Sequence, residues 1–176
     1  MPIKSKPNPT TLTNTRQEGF TLLEVLVTIL IVAIGLLGLA GMQTAGLRNN
    51  NDAYMRSQAT LMAYDMADRM RANRQAFSEG VFHNIVAQEN TACLTVAGCA
   101  DTTSMARHNV FEWQEAIQEL LPGGQGWICI DSTPYDGNIG SPACDGNGET
   151  YAIKIWWNED RDSATDDQLF VTSVLP

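Results

Sequence analysis

Between residues 20 and 47 the chain carries a single charged side chain, Glu24. It stands five residues after Gly19, in the run Gly19-Phe20-Thr21-Leu22-Leu23-Glu24. A bare carboxylate in an apolar helix costs about 2.5–3.5 kcal/mol at the centre of a bilayer and less near its edge. Such a group needs a cation. Gly19 is a small, cleavage-like residue placed before the apolar run, and it offers backbone access with no side chain in the way.

Four cysteines, Cys93, Cys99, Cys129 and Cys144, lie in the C-terminal half. None forms a C-x-x-C pair, and their spacing does not suit zinc, whose ligands usually come in close pairs. An even number following a membrane segment points to disulfides in an oxidising compartment. Of the three possible pairings, Cys93–Cys99 with Cys129–Cys144 closes the smallest loops and is the one expected. The competing reading is four buried thiols. His83 and His108 are accompanied by no nucleophile motif, so both are read as structural or solvated and no catalysis is expected. The acidic loops at 145–149 and 158–162 lack the glycine and glutamate of a calcium-binding loop. No metal or cofactor is expected.

The elements that must position these residues follow from hydropathy. Residues 20–47 are long enough to cross a bilayer: 28 helical residues reach about 42 Å against a hydrocarbon core of about 30 Å. A secretory signal is shorter and is cut after its apolar run, whereas here the small residue precedes it. Residues 48–74 continue as an amphipathic helix. Met55, Ala59, Met62, Met66 and Met70 form one stripe, read as core, and Asp52–Arg56 and Asp65–Arg69 stand at i,i+4 spacing. No proline or turn cluster separates the halves, so a single helix of about 55 residues is expected. Residues 75–107 read as irregular. Residues 109–121 read as a helix capped by Asn109 and ended by Pro122-Gly123-Gly124. Strands are expected over 126–131, 151–157 and 169–175, joined by polar loops at 132–150 and 158–168. The fold class is therefore α+β: a long N-terminal helix packed on a small antiparallel sheet with disulfide-stapled loops.

The chain has 176 residues and a net charge of −9. The first 19 residues hold +2 and the part after Leu47 holds −10. An acidic head has no electrostatic reason to bind nucleic acid, and no direct nucleic-acid contact is expected. The leader, rich in proline, asparagine and threonine with no apolar run, is expected to be disordered before processing.

The motif Gly19-Phe20-Thr21-Leu22-Leu23-Glu24 at the mouth of a spanning segment resembles the type IV prepilin signature. Downstream, residues 63–73 (AYDMADRMRAN) and Leu121-Pro122-Gly123-Gly124 resemble minor pilins of the PilV type, the type IV pilus modification proteins. The leader is longer than the short leaders typical of such pilins. No proline interrupts the helix; Gly35, Gly38 and Gly41 stand there instead.

The resemblance implies a type IV pilin-like fold divided into a leader (1–19), an assembly half of the helix (20–47), its amphipathic half (48–74) and a periplasmic head (75–176). It implies that a prepilin peptidase cuts after Gly19 and N-methylates Phe20. The expected partners are that peptidase, other minor pilins, the major pilin and the inner-membrane pilus assembly machinery. The expected location is the inner membrane, single-pass with the head in the periplasm, and then the fibre or its tip. Glu24 is expected to pair with the new α-amine of a neighbouring subunit and so set axial register. Pairing within its own chain, or stabilisation at the helix N-terminus, is the alternative. The expected function is priming or capping of a pilus, with effects on adhesion and twitching motility. Two rival readings stand beside it: a pseudopilin of type II secretion, and a single-pass membrane enzyme or receptor that keeps its leader.

Overall fold

A computed structural model describes residues 19–159 and 167–176. The leader's Lys4, Lys6, Arg16 and Glu18, and most of the acidic loop at 158–162, lie outside the described residues. The elements in chain order are α1 (Leu22–Ala72), α2 (Arg74–Ser78), a 3-10 turn (Thr91–Leu94), α3 (Thr102–Leu120), β1 (Gln125–Ile130), β2 (Tyr151–Trp157) and β3 (Gln168–Val174). The chain divides into two compact units, Met1–Gly46 and Leu47–Pro176, and α1 contributes to both.

In the first unit, α1 is long and apolar enough to cross a membrane. Its apolar side chains from Leu22 to Met42 are exposed on all sides, which a helix tolerates when lipid or other helices are its surroundings. Thr28 Oγ1 donates to Glu24 O at 2.9 Å and to Val25 O at 2.8 Å, and Thr44 Oγ1 donates to Ala40 O at 3.0 Å. These hydroxyls are therefore satisfied within the helix and need no partner from the surroundings.

In the second unit, α1 buries Met55, Ala59, Met62, Ala63, Met66, Ala67 and Met70 on one face. The methionine stripe is core, interleaved with alanines that let neighbouring elements approach. The Asp65–Arg69 pair forms at 2.8 Å. No Asp52–Arg56 pair forms among the described residues; Arg56 Nη2 instead donates to Gln168 Oε1 at 3.5 Å. The helix stops at Asn73, whose backbone leaves helical geometry and whose side-chain amide donates to Thr102 O at 2.7 Å. A single turn, α2, follows, so the helical stretch is interrupted where one unbroken helix was expected to 74.

The second helix begins earlier than its sequence suggests. Asn109 lies inside α3, and the cap is Asp101: its carboxylate accepts from Ser104 N at 2.6 Å while its own N–H donates to Ser104 Oγ at 3.1 Å. This reciprocal pair satisfies two backbone donors at once and starts the helix eight residues before Asn109. Residues 102–107 are thereby helical rather than irregular. The chain leaves α3 through Leu121 and turns at Gly123, whose positive φ suits glycine.

The sheet is antiparallel with order β1-β2-β3. Register places Gln125 opposite Trp156, Trp127 opposite Lys154 and Cys129 opposite Ala152; across the other ladder Lys154 faces Val171. Residues directly opposite share a face. One face thus carries Gly126, Ile128, Tyr151, Ile153, Ile155 and Trp157, and these buried apolar residues join Trp113 and Ile117 of α3 and the methionines of α1 in one core. Gly126 makes the contact possible, because a Cβ there would come within 2.5 Å of the Trp113 ring.

The opposite face carries Gln125, Trp127, Cys129, Ala152, Lys154 and Trp156. Every residue of β2 is buried, so this face is covered as well. Its cover is the β1–β2 connection, residues 131–150, which acts as a strap: Cys144 is bonded to Cys129, Gly146 N donates to Ile130 O at 3.1 Å, and Lys154 reaches into it.

Candidate processing and assembly site

Gly19 and Phe20 precede α1 and are exposed; Phe20 keeps 84 % of its surface. Thr21 opens the helix. Its Oγ1 accepts from Glu24 N at 3.2 Å, and its carbonyl accepts from Val25 N at 3.2 Å. The Thr-x-x-Glu spacing of residues 21–24 is a capping signal that sequence reasoning missed by treating Glu24 as a charge alone. The cap fixes the first turn and holds Glu24 at its third position. The Glu24 carboxylate is exposed and has no side-chain partner among the described residues. A negative charge in the first turn is favoured by the helix dipole, but in an apolar setting the carboxylate still wants a cation.

The four cysteines pair as sequence neighbours. Cys93 is bonded to Cys99, closing a short turn after the 3-10 segment, and Cys129 is bonded to Cys144. Asp131 lies close to the second pair, but those sulfurs are bonded to each other and cannot serve as metal ligands.

Both histidines hold structure together. His83 Nδ1 accepts from Ile130 N at 3.0 Å, and His108 Nδ1 accepts from Asn90 N at 3.3 Å. His108 Nε2 lies 3.5 Å from Glu112, which binds Arg69 at 2.9 Å.

A second polar cluster lay hidden in the sequence. Lys154 shares one face of β2 with Ala152 and Trp156. Its side chain is 0 % exposed, with Asp131 Oδ2 at 2.6 Å and Asp136 Oδ1 at 2.9 Å. The hydrogen bond from Lys154 holds the Asp136 carboxyl below the usual carboxylate range, helped by Thr133. The signal available was the loop itself: a lysine on a central strand, facing a connection with three aspartates and two asparagines, is placed for burial with a carboxylate.

A long apolar helix at the N-terminus, a three-stranded antiparallel sheet and two disulfides define an α+β, pilin-like fold. The comparisons agree with it. Residues 14–40 match the prokaryotic N-terminal methylation motif, and residues 41–111 match the family of type IV pilin Tt1218. No curated protein and no solved structure matches the chain. The two matches support a type IV pilin subunit. They end before β1, so the sheet and its strap are described by the structure alone.

Proposed function

We propose that the chain is a minor pilin of a type IV pilus, of the PilV type, whose activity is assembly rather than catalysis. It is inserted in the inner membrane with its head in the periplasm, cut between Gly19 and Phe20, and N-methylated on Phe20. It then enters the priming or tip complex with other minor pilins and the major pilin, and its loss affects adhesion and twitching.

The observation that carries this reading is the pairing of a Thr21-capped first turn with an exposed Glu24 that has no side-chain partner among the described residues, inside an apolar segment. Cleavage after Gly19 places an ammonium on Phe20, and stacking subunits along the fibre brings one chain's ammonium to the next chain's Glu24. That contact cancels the cost of a buried carboxylate and fixes register. Lys or Arg could neutralise the charge, but the first basic residue after it is Arg48, many turns away.

Glu24→Gln is the test. It removes the charge at nearly constant shape. The variant is expected to insert in the membrane as before and to fail to co-purify with the other pilins. Unchanged co-assembly would refute the register role.

A further inference from the structure

The processing and assembly site makes no use of a fully buried charge in the head, Lys154. Its ammonium has three hydrogens, and three acceptors stand around it: Pro142 O at 2.8 Å, Asp136 Oδ1 at 2.9 Å and Asp136 O at 3.2 Å. Asp131 Oδ2 is closer still, at 2.6 Å, in a direct ion pair. Both side chains are 0 % exposed. The other Asp131 oxygen is held by Thr133 N at 3.0 Å, which fixes the plane of the carboxyl group. The ammonium and the Asp131 carboxylate are thus held in direct contact out of solvent, with the carboxyl plane fixed.

We propose that Lys154 and Asp131 condense to an intramolecular amide. Asp136, whose side chain is 46 % exposed, takes one proton from the ammonium through Oδ1. The neutral amine uses its lone pair to form a bond from Nζ to Asp131 Cγ. A second proton leaves the nitrogen as the Cγ–O bond breaks, and the two protons depart with the Asp131 oxygen as water. One ammonium and one carboxylate become one neutral amide and one water, with no oxidant, reductant or activated donor.

Two physical terms favour the step. A preorganised pair reacts as though at very high concentration, because the entropy of bringing the groups together has been spent in folding. Burial of two opposite charges carries a desolvation penalty on each, and a neutral amide carries neither. The amide N–H retains Pro142 O as an acceptor, and Asp136 is exposed enough for water to solvate it. The cross-link would tie the end of β1 to the middle of β2, beside the Cys129–Cys144 bond, and would survive reducing conditions that open that bond.

Peptide mapping of the full chain, isolated from membranes, reduced and alkylated, tests this. A protease cutting after glutamate separates residues 120–149, which hold Asp131, from residues 150–159, which hold Lys154. The expected result is one branched species whose mass is the sum of the two peptides less one water, together with resistance to trypsin at Lys154. Two separate unmodified peptides and trypsin cleavage after Lys154 would overturn the proposal. Asp136→Asn is expected to lower the branched fraction in chains that still carry Lys154 and Asp131; an unchanged fraction would refute the proton-carrying role of Asp136.

Discussion

Gly126→Ala places one methyl group where the structure has least room for it. The new Cβ would lie 2.5 Å from two atoms of the Trp113 ring and 2.6 Å from Ile117 Cδ1. A side-chain tip can often swing aside, but Trp113 is 1 % exposed and its indole N–H donates to Met62 O at 2.9 Å. Moving the ring therefore strains the core or breaks a buried hydrogen bond. Overpacking of this kind costs about 1–3 kcal/mol, and alanine recovers roughly 0.5–1 kcal/mol of chain entropy relative to glycine. Taken at the middle of both ranges, the net loss is about 1 kcal/mol. For a unit of this size each kcal/mol moves the melting midpoint by roughly 3–6 °C, so the variant should melt about 3–6 °C lower. The assay is thermal unfolding of the full chain in detergent, followed by tryptophan fluorescence and near-UV circular dichroism. Trp113→Phe removes the colliding ring atoms, so the double variant should be less damaged than the sum of the single ones. A Gly126→Ala chain as stable as the parent, or strictly additive effects, would refute the packing argument, since neighbours in contact couple.

The two disulfides should differ in weight. Closing the loop between Cys129 and Cys144, separated by 15 positions, is worth about 3 kcal/mol, and closing that between Cys93 and Cys99, separated by 6, about 2 kcal/mol. Denaturant melts of the Cys→Ala pairs measure this; equal or reversed losses would contradict it. Stability should also fall in acid. Ser104 N–H holds Asp101 below the ordinary carboxylate value, and the Ser132 hydroxyl does the same for Asp145, so both fold-state values lie under the unfolded one. Groups with depressed values stabilise the fold above the ordinary carboxylate range and lose that contribution as pH falls through it. Melting points recorded from neutral pH downward should drop below about pH 4, and less steeply in Asp101→Asn and Asp145→Asn chains. A profile unaltered by those substitutions would contradict the assignment.

Much of the fold is legible in the sequence, and the gaps have physical causes. The apolar run and the methionine stripe are long and periodic, so α1 is visible almost to its end. The three strands lie within a residue or two of their expected positions because alternation and flanking turn residues mark them. What periodicity does not report is who covers a second face. The run from Tyr151 to Trp157 alternates as a half-buried strand would, yet α1 and α3 bury one side while the strap and its disulfide bury the other. The burial of Lys154 is invisible to periodicity for that reason. Helix starts set by side-chain capping are just as local: Asp101-x-x-Ser104 and Thr21-x-x-Glu24 are each readable as capping pairs, but the first lies in a stretch that looks irregular and the second is overshadowed by the charge of Glu24. The end of α1 depends on Asn73 reaching Thr102, a contact between distant parts of the chain that no local pattern encodes.

Everything proposed for assembly rests on the new terminus at Phe20. Mass spectrometry of the chain recovered from cells that make the fibre tests it most directly. The expected product begins at Phe20, with one methyl group on its α-amine. A chain that still begins at Met1 or Pro2 in those cells would contradict the account.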